Sequence, residues 1–280
     1  MILGKHVSIA GGLDKAFKRA SDIGCNSMQI FVKNPRGWKM REVDEKEAND
    51  FKAQREKYNI NPVVVHAAYL INLASPKDEL WGKSISALKS EYERCSRLGA
   101  EYLIFHPGSH TGSGLKAGIN KIAEALNKIL AEVKSETMIL LENTAGAGTG
   151  IGEEFSELKS ILDKLEEPER VGVCIDSCHA FTAGYNLKDE AALEQLIEEF
   201  DQLIGLEKLK VIHLNDSKHE CCSNKDEHAH IGKGKIGSDA FKRIINHPEL
   251  KDRVFILETP WFDNQDKDDD VILLKKLRED

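Results

Sequence analysis

The sequence predicts a single (β/α)8, or TIM, barrel, and three observations carry that prediction. Short apolar runs alternate with helical patterns eight times along the chain. Six of the runs end on histidine, aspartate or glutamate. The spacings between those six termini are 40, 36, 34, 37 and 45 residues, and one βα unit takes roughly 30 residues or more. Such alternation makes a parallel sheet with helices outside it. Function in barrels of this kind sits at the C-terminal ends of the strands, where the six termini fall.

The elements follow in order. Residues 2–7 read as the first strand, and the helical pattern over 13–23 stops at Gly24, a C-cap residue. Residues 27–32 are the second strand, followed by a charged amphipathic helix over 44–58. The run 62–65 ends on His66, and the helix over 79–98 stops at Gly99. The run 102–105 ends on His106; Ile119, Ile122, Ala123, Leu126, Ile129, Leu130 and Val133 then recur at helical spacing. The run 138–141 ends on Glu142, with a helical pattern from Phe155 to Leu165 after it. The last three runs are 171–175, ending on Asp176, 209–212, ending on His213, and 254–257, ending on Glu258. Their helices are expected over 191–204, 238–245 and 271–277. No linker rich in proline, glycine or serine divides the chain, so 1–280 reads as one domain.

A hydrophobic content of 41% supports a sizeable core. No apolar stretch of about 18 residues could span a membrane, and the N-terminal residues lack a signal-peptide pattern. The six cysteines form no C-x-x-C pair and are expected as reduced core thiols of a cytoplasmic protein. The net charge of −8 argues against a non-specific nucleic-acid coat. It leaves room for a local basic face, and Lys33, Arg36, Lys39 and Arg41 fall in one loop. The five aspartates between Asp263 and Asp270 read as solvated surface.

Capping of buried strands would use serine, threonine, asparagine and lysine as well; here all six termini are metal-ligand types. Asp176-Ser177-Cys178-His179 adds a ligand three residues past a strand end, and Asp226-Glu227-His228 supplies a D-x-H pair. The candidates are therefore His66, His106, Glu142, Asp176, His179, His213, Asp226, His228 and Glu258. Mixed histidine and carboxylate ligands without thiolate suit a catalytic zinc, manganese or iron site. Nine ligands exceed the need of one ion, so two or three ions sharing a bridging carboxylate are expected. Paired ions suit in-line attack on phosphate. Of the remaining histidines, His6 is placed near the site and His247 at a helix end. The glycine-rich run 232–237 lacks the pattern of a phosphate loop, yet could bring backbone N–H groups and two lysines to a phosphate.

In order, these motifs resemble the endonuclease IV family of zinc-dependent apurinic/apyrimidinic endonucleases. The matching stretches are Gly4-Lys5-His6-Val7-Ser8, Phe31-Val32-Lys33-Asn34, His66-Ala67-Ala68-Tyr69-Leu70-Ile71-Asn72-Leu73, His106-Pro107-Gly108, Leu141-Glu142-Asn143-Thr144, Cys174-Ile175-Asp176-Ser177-Cys178-His179, His213-Leu214-Asn215-Asp216, Asp226-Glu227-His228 and Glu258-Thr259-Pro260. The resemblance covers nearly the whole chain. It implies three zinc ions and incision of duplex DNA 5′ to an abasic site, leaving a 3′-hydroxyl and a 5′-deoxyribose phosphate. It further implies that His66 and His106 bind one zinc, that Asp176, His213 and Glu258 bind a second, and that Glu142 bridges the two. His179, Asp226 and His228 would bind the third. Glu142 and Glu258 are the implied catalytic carboxylates, Glu258 orienting the attacking water. Arg36, Tyr69 and Leu70 match residues that enter the minor groove and hold the duplex bent. A monomeric, cytoplasmic, nucleoid-acting protein is expected. Glu227 departs from the arginine usual in the D-x-H motif, which questions a DNA contact or loop tether there; Ala67-Ala68 is less polar than usual.

Two other functions compete. A sugar isomerase or epimerase of the xylose-isomerase-like barrels needs one or two metals, and the extra trio of His179, Asp226 and His228 argues against it. A non-catalytic damage-binding protein would be expected to lack a bridging ligand, and none is missing.

Overall fold

Val63-Val64-Val65, with no polar residue among them, makes a strand buried on both faces, and the other barrel strands follow it closely, with Lys5, Gln29 and Lys210 as the polar residues within them apart from the terminal His, Asp and Glu. The computed structural model describes residues 1–261 and 267–279. Its parallel strands are β1 (Ile2–Lys5), β2 (Met28–Ile30), β3 (Val63–His66), β4 (Tyr102–Phe105), β5 (Met138–Glu142), β6 (Val171–Asp176), β7 (Leu209–His213) and β10 (Val254–Leu257). They lie side by side in the order β1-β10-β7-β6-β5-β4-β3-β2. A parallel bridge between His6 and Gln29 closes the seam between β1 and β2, and the N–H of Val7 donates to the Gln29 carbonyl at 2.8 Å. The result is an eight-stranded parallel barrel.

Alternate strand residues fill its interior: Val64, Ile104, Leu140, Cys174, Val211, Val254 and Ile256 form one buried cluster. Gly4 and Gly172 face this crowded space, where a Cβ would stand 2.7 and 2.8 Å from neighbouring atoms. The other strand residues meet the helices in a larger core that includes Phe17, Phe51, Tyr92, Phe105, Phe155 and Phe241.

The helices are α1 (Lys15–Asp22), α2 (Glu45–Tyr58), α3 (Asp78–Leu98), α4 (Leu115–Glu132), α5 (Phe155–Leu162), α6 (Ser177–Ala183), α7 (Glu190–Leu203), α8 (Ser238–Asn246) and α9 (Asp269–Leu277). Asp44 caps α2 by accepting from the N–H of Glu47 at 2.8 Å. Gly99 ends α3 at φ 72, as expected of a left-handed C-cap. Two elements add to the expected set. One is the short α6; the other is an antiparallel hairpin of β8 (Asp216–Ser217) and β9 (His228–Ala229). The first two strands are shorter than expected, and α4 begins four residues earlier. Among the described residues no helix is long and apolar enough to cross a membrane.

Candidate metal centre

Six of the eight barrel strands present a side chain at one rim, at their last residue or just beyond it. His66, Glu142, Asp176 and His213 close β3, β5, β6 and β7. His106 and Glu258 stand one residue beyond β4 and β10. Pairing of β6 with β7 sets Asp176 directly opposite His213. Asp176 also caps α6, accepting from the N–H of His179 at 2.8 Å, and this single turn brings His179 to the rim. The β8–β9 hairpin returns Asp226 and His228 over the same end.

All nine side chains predicted from the sequence meet there. Their ligand atoms form three groups, each within 4.8 Å: His66, His106 and Glu142; Glu142, Asp176, His213 and Glu258, which shares Glu142 with the first; and His179, Asp226 and His228. Cys174 and Cys178 lie within the same reach of some of them, and burial raises both thiols. Glu142 sits at the centre and is fully buried. Its Oε2 lies 3.1 Å from the Nε2 of both His66 and His106, and its Oε1 lies 2.8 Å from His213 Nδ1. Glu258 Oε2 is 3.3 Å from His213 Nδ1. Asp226 spans the last pair, 3.2 Å from His179 Nε2 and 3.3 Å from His228 Nε2. A cleft of about 310 Å³ opens over the group.

Each buried histidine uses one ring nitrogen for the protein and turns the other inward. His66 Nδ1 lies 2.8 Å from the Ala67 carbonyl, His179 Nδ1 2.9 Å from the Asn143 carbonyl, and His213 Nε2 2.9 Å from Gln29 Oε1. His228 Nδ1 is 3.4 Å from the Glu258 carbonyl, and its buried Nε2 has no hydrogen-bond partner. Outer acceptors of this kind fix the tautomer and orientation of metal-binding imidazoles. The backbone of Ala67 thus provides what the apolar Ala67-Ala68 pair lacks in side chains. Three amides complete the support. Gln29 donates to Glu258 Oε1 at 2.6 Å, Asn215 to Asp176 Oδ2 at 2.6 Å, and Asn143 Oδ1 accepts from the Asp176 N–H at 2.6 Å. Sequence reasoning missed these amides, although Asn143 and Asn215 lie next to or close behind a ligand.

Burial opposes charge at His66, His179, His213, His228, Glu142 and Glu258, and opposite charges outweigh it. His66 is raised to about 9 by Glu142, and His228 to about 9 by Asp226 and Asp176. His179 and His213 are also raised. Glu142 is held well below the usual carboxylate range, and Glu258 falls to about 2 beside His213 and His66. His6, expected near the site, lines the cleft and lies 3.0 Å from Gln29 Nε2; burial lowers it to about 4.

Tyr69 stands at the cleft mouth, 64% exposed, with its ring 5.3 Å from Phe31 and 6.2 Å from His66. Leu70 is half-buried beside it and Arg36 is exposed.

Four expectations are corrected. The 232–237 run offers no free amides to a phosphate: Asp216 already accepts from the N–H groups of Gly232, Gly234, Ile236 and Gly237 at 2.9 to 3.3 Å. The basic loop is not wholly solvated, since Lys33 is buried 3.3 Å from Glu91. In the acidic stretch Asp268 and Asp270 are buried, against Lys5 at 2.5 Å and His230 at 2.8 Å, while Asp263 and Asp266 lie outside the described residues. Of the cysteines, all free, Cys221 is half-buried and Cys222 exposed. The loop tether that Glu227 put in question is present, through Lys218 at 2.7 Å and His219 at 3.0 Å. The reading of His247 holds: it follows α8 and pairs with Glu194 at 2.9 Å.

A family model described as a xylose isomerase-like TIM barrel matches residues 17–277. A probable endonuclease 4 of Halothermothrix orenii is 58% identical over 280 residues, 100% of both chains. The crystal structure of endonuclease IV from Thermus thermophilus aligns with a TM-score of 0.88 at 38% identity, covering 99% of this chain and 98% of that one. A D-tagatose 3-epimerase-like protein aligns with a TM-score of 0.74 at 20% identity over 99% of this chain and 95% of its own, a likeness of fold alone. Full-length identity at this level, with the site residues on one rim of the barrel, shows that the chain belongs to the endonuclease IV family of nucleases.

Proposed function

We propose that this protein hydrolyses the phosphodiester bond 5′ to an abasic site in duplex DNA, leaving a 3′-hydroxyl and a 5′-deoxyribose phosphate. Its nine rim ligands would hold three zinc ions. The observation that carries the reading is the division of labour at the histidines: one nitrogen faces a protein acceptor and the other faces a carboxylate cluster. The buried Nε2 of His228 makes no hydrogen bond yet faces Asp226 at 3.3 Å and Asp176 at 3.7 Å, the disposition of a metal ligand rather than of a finished hydrogen-bond network. The donor set, nitrogen and carboxylate oxygen without thiolate, fits catalytic zinc.

On this reading His66 and His106 hold one ion, Asp176, His213 and Glu258 a second, Glu142 bridges them, and His179, Asp226 and His228 hold the third. Bound zinc supplies Lewis acidity, lowering the pKa of water towards about 7 and stabilising charge on the phosphoryl and leaving oxygens. The chain's own groups do the orienting. Glu142 aligns with histidines on both its oxygens. Glu258, fixed by Gln29 and by the Asn215 side chain, which accepts from its N–H at 2.8 Å, points an acceptor at the attacking water. Arg36, Tyr69 and Leu70 enter the minor groove and support the kink, an energetically easier deformation where a base is already missing. One domain, acting as a monomer in the cytoplasm on nucleoid DNA, suffices for this.

Incubating the zinc-loaded protein with an end-labelled duplex carrying one tetrahydrofuran analogue tests the reading. A single cut 5′ to the analogue with a 3′-hydroxyl end is expected. Absence of incision with three ions bound would refute it.

A further inference from the structure

Helix α3 grips the loop between β2 and α2 along one face. Glu91, Arg94 and Arg97 recur every third residue and so lie on one side of the helix. Arg94 Nη1 donates to the Arg41 carbonyl at 2.6 Å, and Arg97 Nη1 to the Val43 carbonyl at 3.0 Å. Those two contacts fix the far end of the loop. Glu91 fixes its near end, and it does more.

Glu91 is fully buried. Its Oε1 faces Lys33 Nζ at 3.3 Å, and that same ammonium donates to the Gly37 carbonyl at 2.9 Å. The lysine therefore closes the turn that displays Arg36. The other oxygen of Glu91, Oε2, accepts from the N–H of Ala68 at 3.2 Å, one residue before Tyr69. One buried carboxylate thus joins the Arg36 loop to the Tyr69–Leu70 loop. The loops also meet where the Phe31 ring lies 5.3 Å from that of Tyr69, but no backbone ladder pairs them. A charged pair in so dry a place costs desolvation, and a hydrophobic pair of similar volume would often be no less stable. Its effect here is geometric: Oε2 accepts from the Ala68 N–H while Oε1, which makes no hydrogen bond, forms the ion pair with Lys33, so one side chain sets the relative position of two loops.

We infer that Glu91 is a positioning residue for DNA engagement, holding Arg36 and the Tyr69–Leu70 pair at one fixed separation on the cleft rim. This rests on the DNA reading proposed above, and it goes beyond that reading by assigning a function to a side chain that never meets the duplex.

The test uses zinc-loaded protein and the tetrahydrofuran duplex. In Glu91→Gln the lysine loses its counter-charge while volume is kept. The double variant Lys33→Gln with Glu91→Gln removes both charges and guards against a misfolded single variant. Displacement of a recognition group by about 1 Å can cost up to about 100-fold. KM is therefore expected to rise at least about tenfold in both variants, with kcat and zinc content near those of the parent. A merely structural defect would lower the active fraction, and hence the apparent kcat, at unchanged KM. Glu91→Asp, which keeps the charge, should recover part of the lost KM. Tyr69→Ala with Leu70→Ala is measured in parallel. If that control raises KM and the double Gln variant leaves KM unchanged, the positioning inference fails alone. If neither variant changes KM, the DNA assignment of these loops fails with it.

Discussion

Asp216→Asn changes one atom in a fully buried carboxylate that organises the hairpin loop. Its Oδ1 accepts from the N–H groups of Ser217 at 2.8 Å and Ile236 at 2.9 Å. Its Oδ2 accepts from Gly232 at 2.9 Å, Gly234 at 3.0 Å and Gly237 at 3.3 Å. Gly234 is required for this approach, because a Cβ there would sit 2.4 Å from Asp216 Oδ1. An asparagine must turn its NH2 towards one of the two sets, and either way at least two N–H groups lose their acceptor. Leaving a buried donor unpaired costs about 1–3 kcal/mol. Two such losses sum to roughly 2–6 kcal/mol, and partial solvation of the loop favours the lower half of that range. The affected segment begins four residues after His228, and Ser217 pairs directly opposite His228, so zinc content should fall as well. Urea unfolding of the zinc-loaded variant, with elemental analysis of the same sample, measures both. A stability loss under about 0.5 kcal/mol, the range of ordinary surface substitutions, would refute the reasoning.

Other expectations follow from the site. Glu258→Gln should slow incision by about 100-fold or more, the scale of a lost acid–base group, while abasic-duplex binding in a mobility-shift assay stays near that of the parent; near-parental cutting would exclude its orienting role. Tyr69→Ala with Leu70→Ala should weaken abasic-duplex binding at unchanged zinc content, and equal binding at limiting DNA would remove the wedge. His66 and His228 stand at about 9 against an ordinary 6.5 when no metal competes. Their contribution to the metal-free fold is therefore full below about 6.5 and lost as pH rises through about 9. Zinc must displace those protons, so its affinity should rise across that window, with at least about two protons released on loading at pH 7.5 and more from His179 and His213, which are also raised. Calorimetry in two buffers of different ionisation enthalpy reads the number, and no release would show the histidines already neutral.

The rim was legible because a buried strand has no use for a polar last residue. Val63-Val64-Val65 needs nothing like His66 after it, and the same holds five more times. His179 and the Asp226–His228 pair were legible from spacing to a neighbouring ligand. Helix α6 was not, because Ser177 to Thr182 are all buried and leave no amphipathic stripe to read. The hairpin was not, because strands of two residues carry no period. Gln29, Asn143 and Asn215 escaped because an amide serves in any setting, and only the carboxylate or imidazole opposite it gives it a role. Lys33, Asp268 and Asp270 were misread for a related reason: charge runs are normally solvated, and what buries these three comes from α3, β1 and the hairpin, far away in sequence.

Charge explains why an acidic chain can belong to a DNA-cutting family. The net charge is −8, and the described residues lining the cleft include neither lysine nor arginine. Four of the nine rim ligands are carboxylates: Glu142, Asp176, Asp226 and Glu258. Without cations the raised histidines His66, His179, His213 and His228 do no more than balance those carboxylates near neutral pH, and such a cleft offers a phosphodiester no net attraction. On the proposed reading three zinc ions set six positive charges against those four, and the rim becomes the cationic face of an otherwise negative surface. The same arrangement steers DNA, since a duplex approaching elsewhere meets net negative charge. Metal therefore contributes to binding as well as to chemistry. Stripped protein should lose affinity for the abasic duplex along with incision, and Glu258→Gln, which keeps most ligands, should not. If the stripped protein binds as tightly as the loaded one, the loops carrying Arg36 and Tyr69 supply the affinity alone and the cationic-rim argument falls.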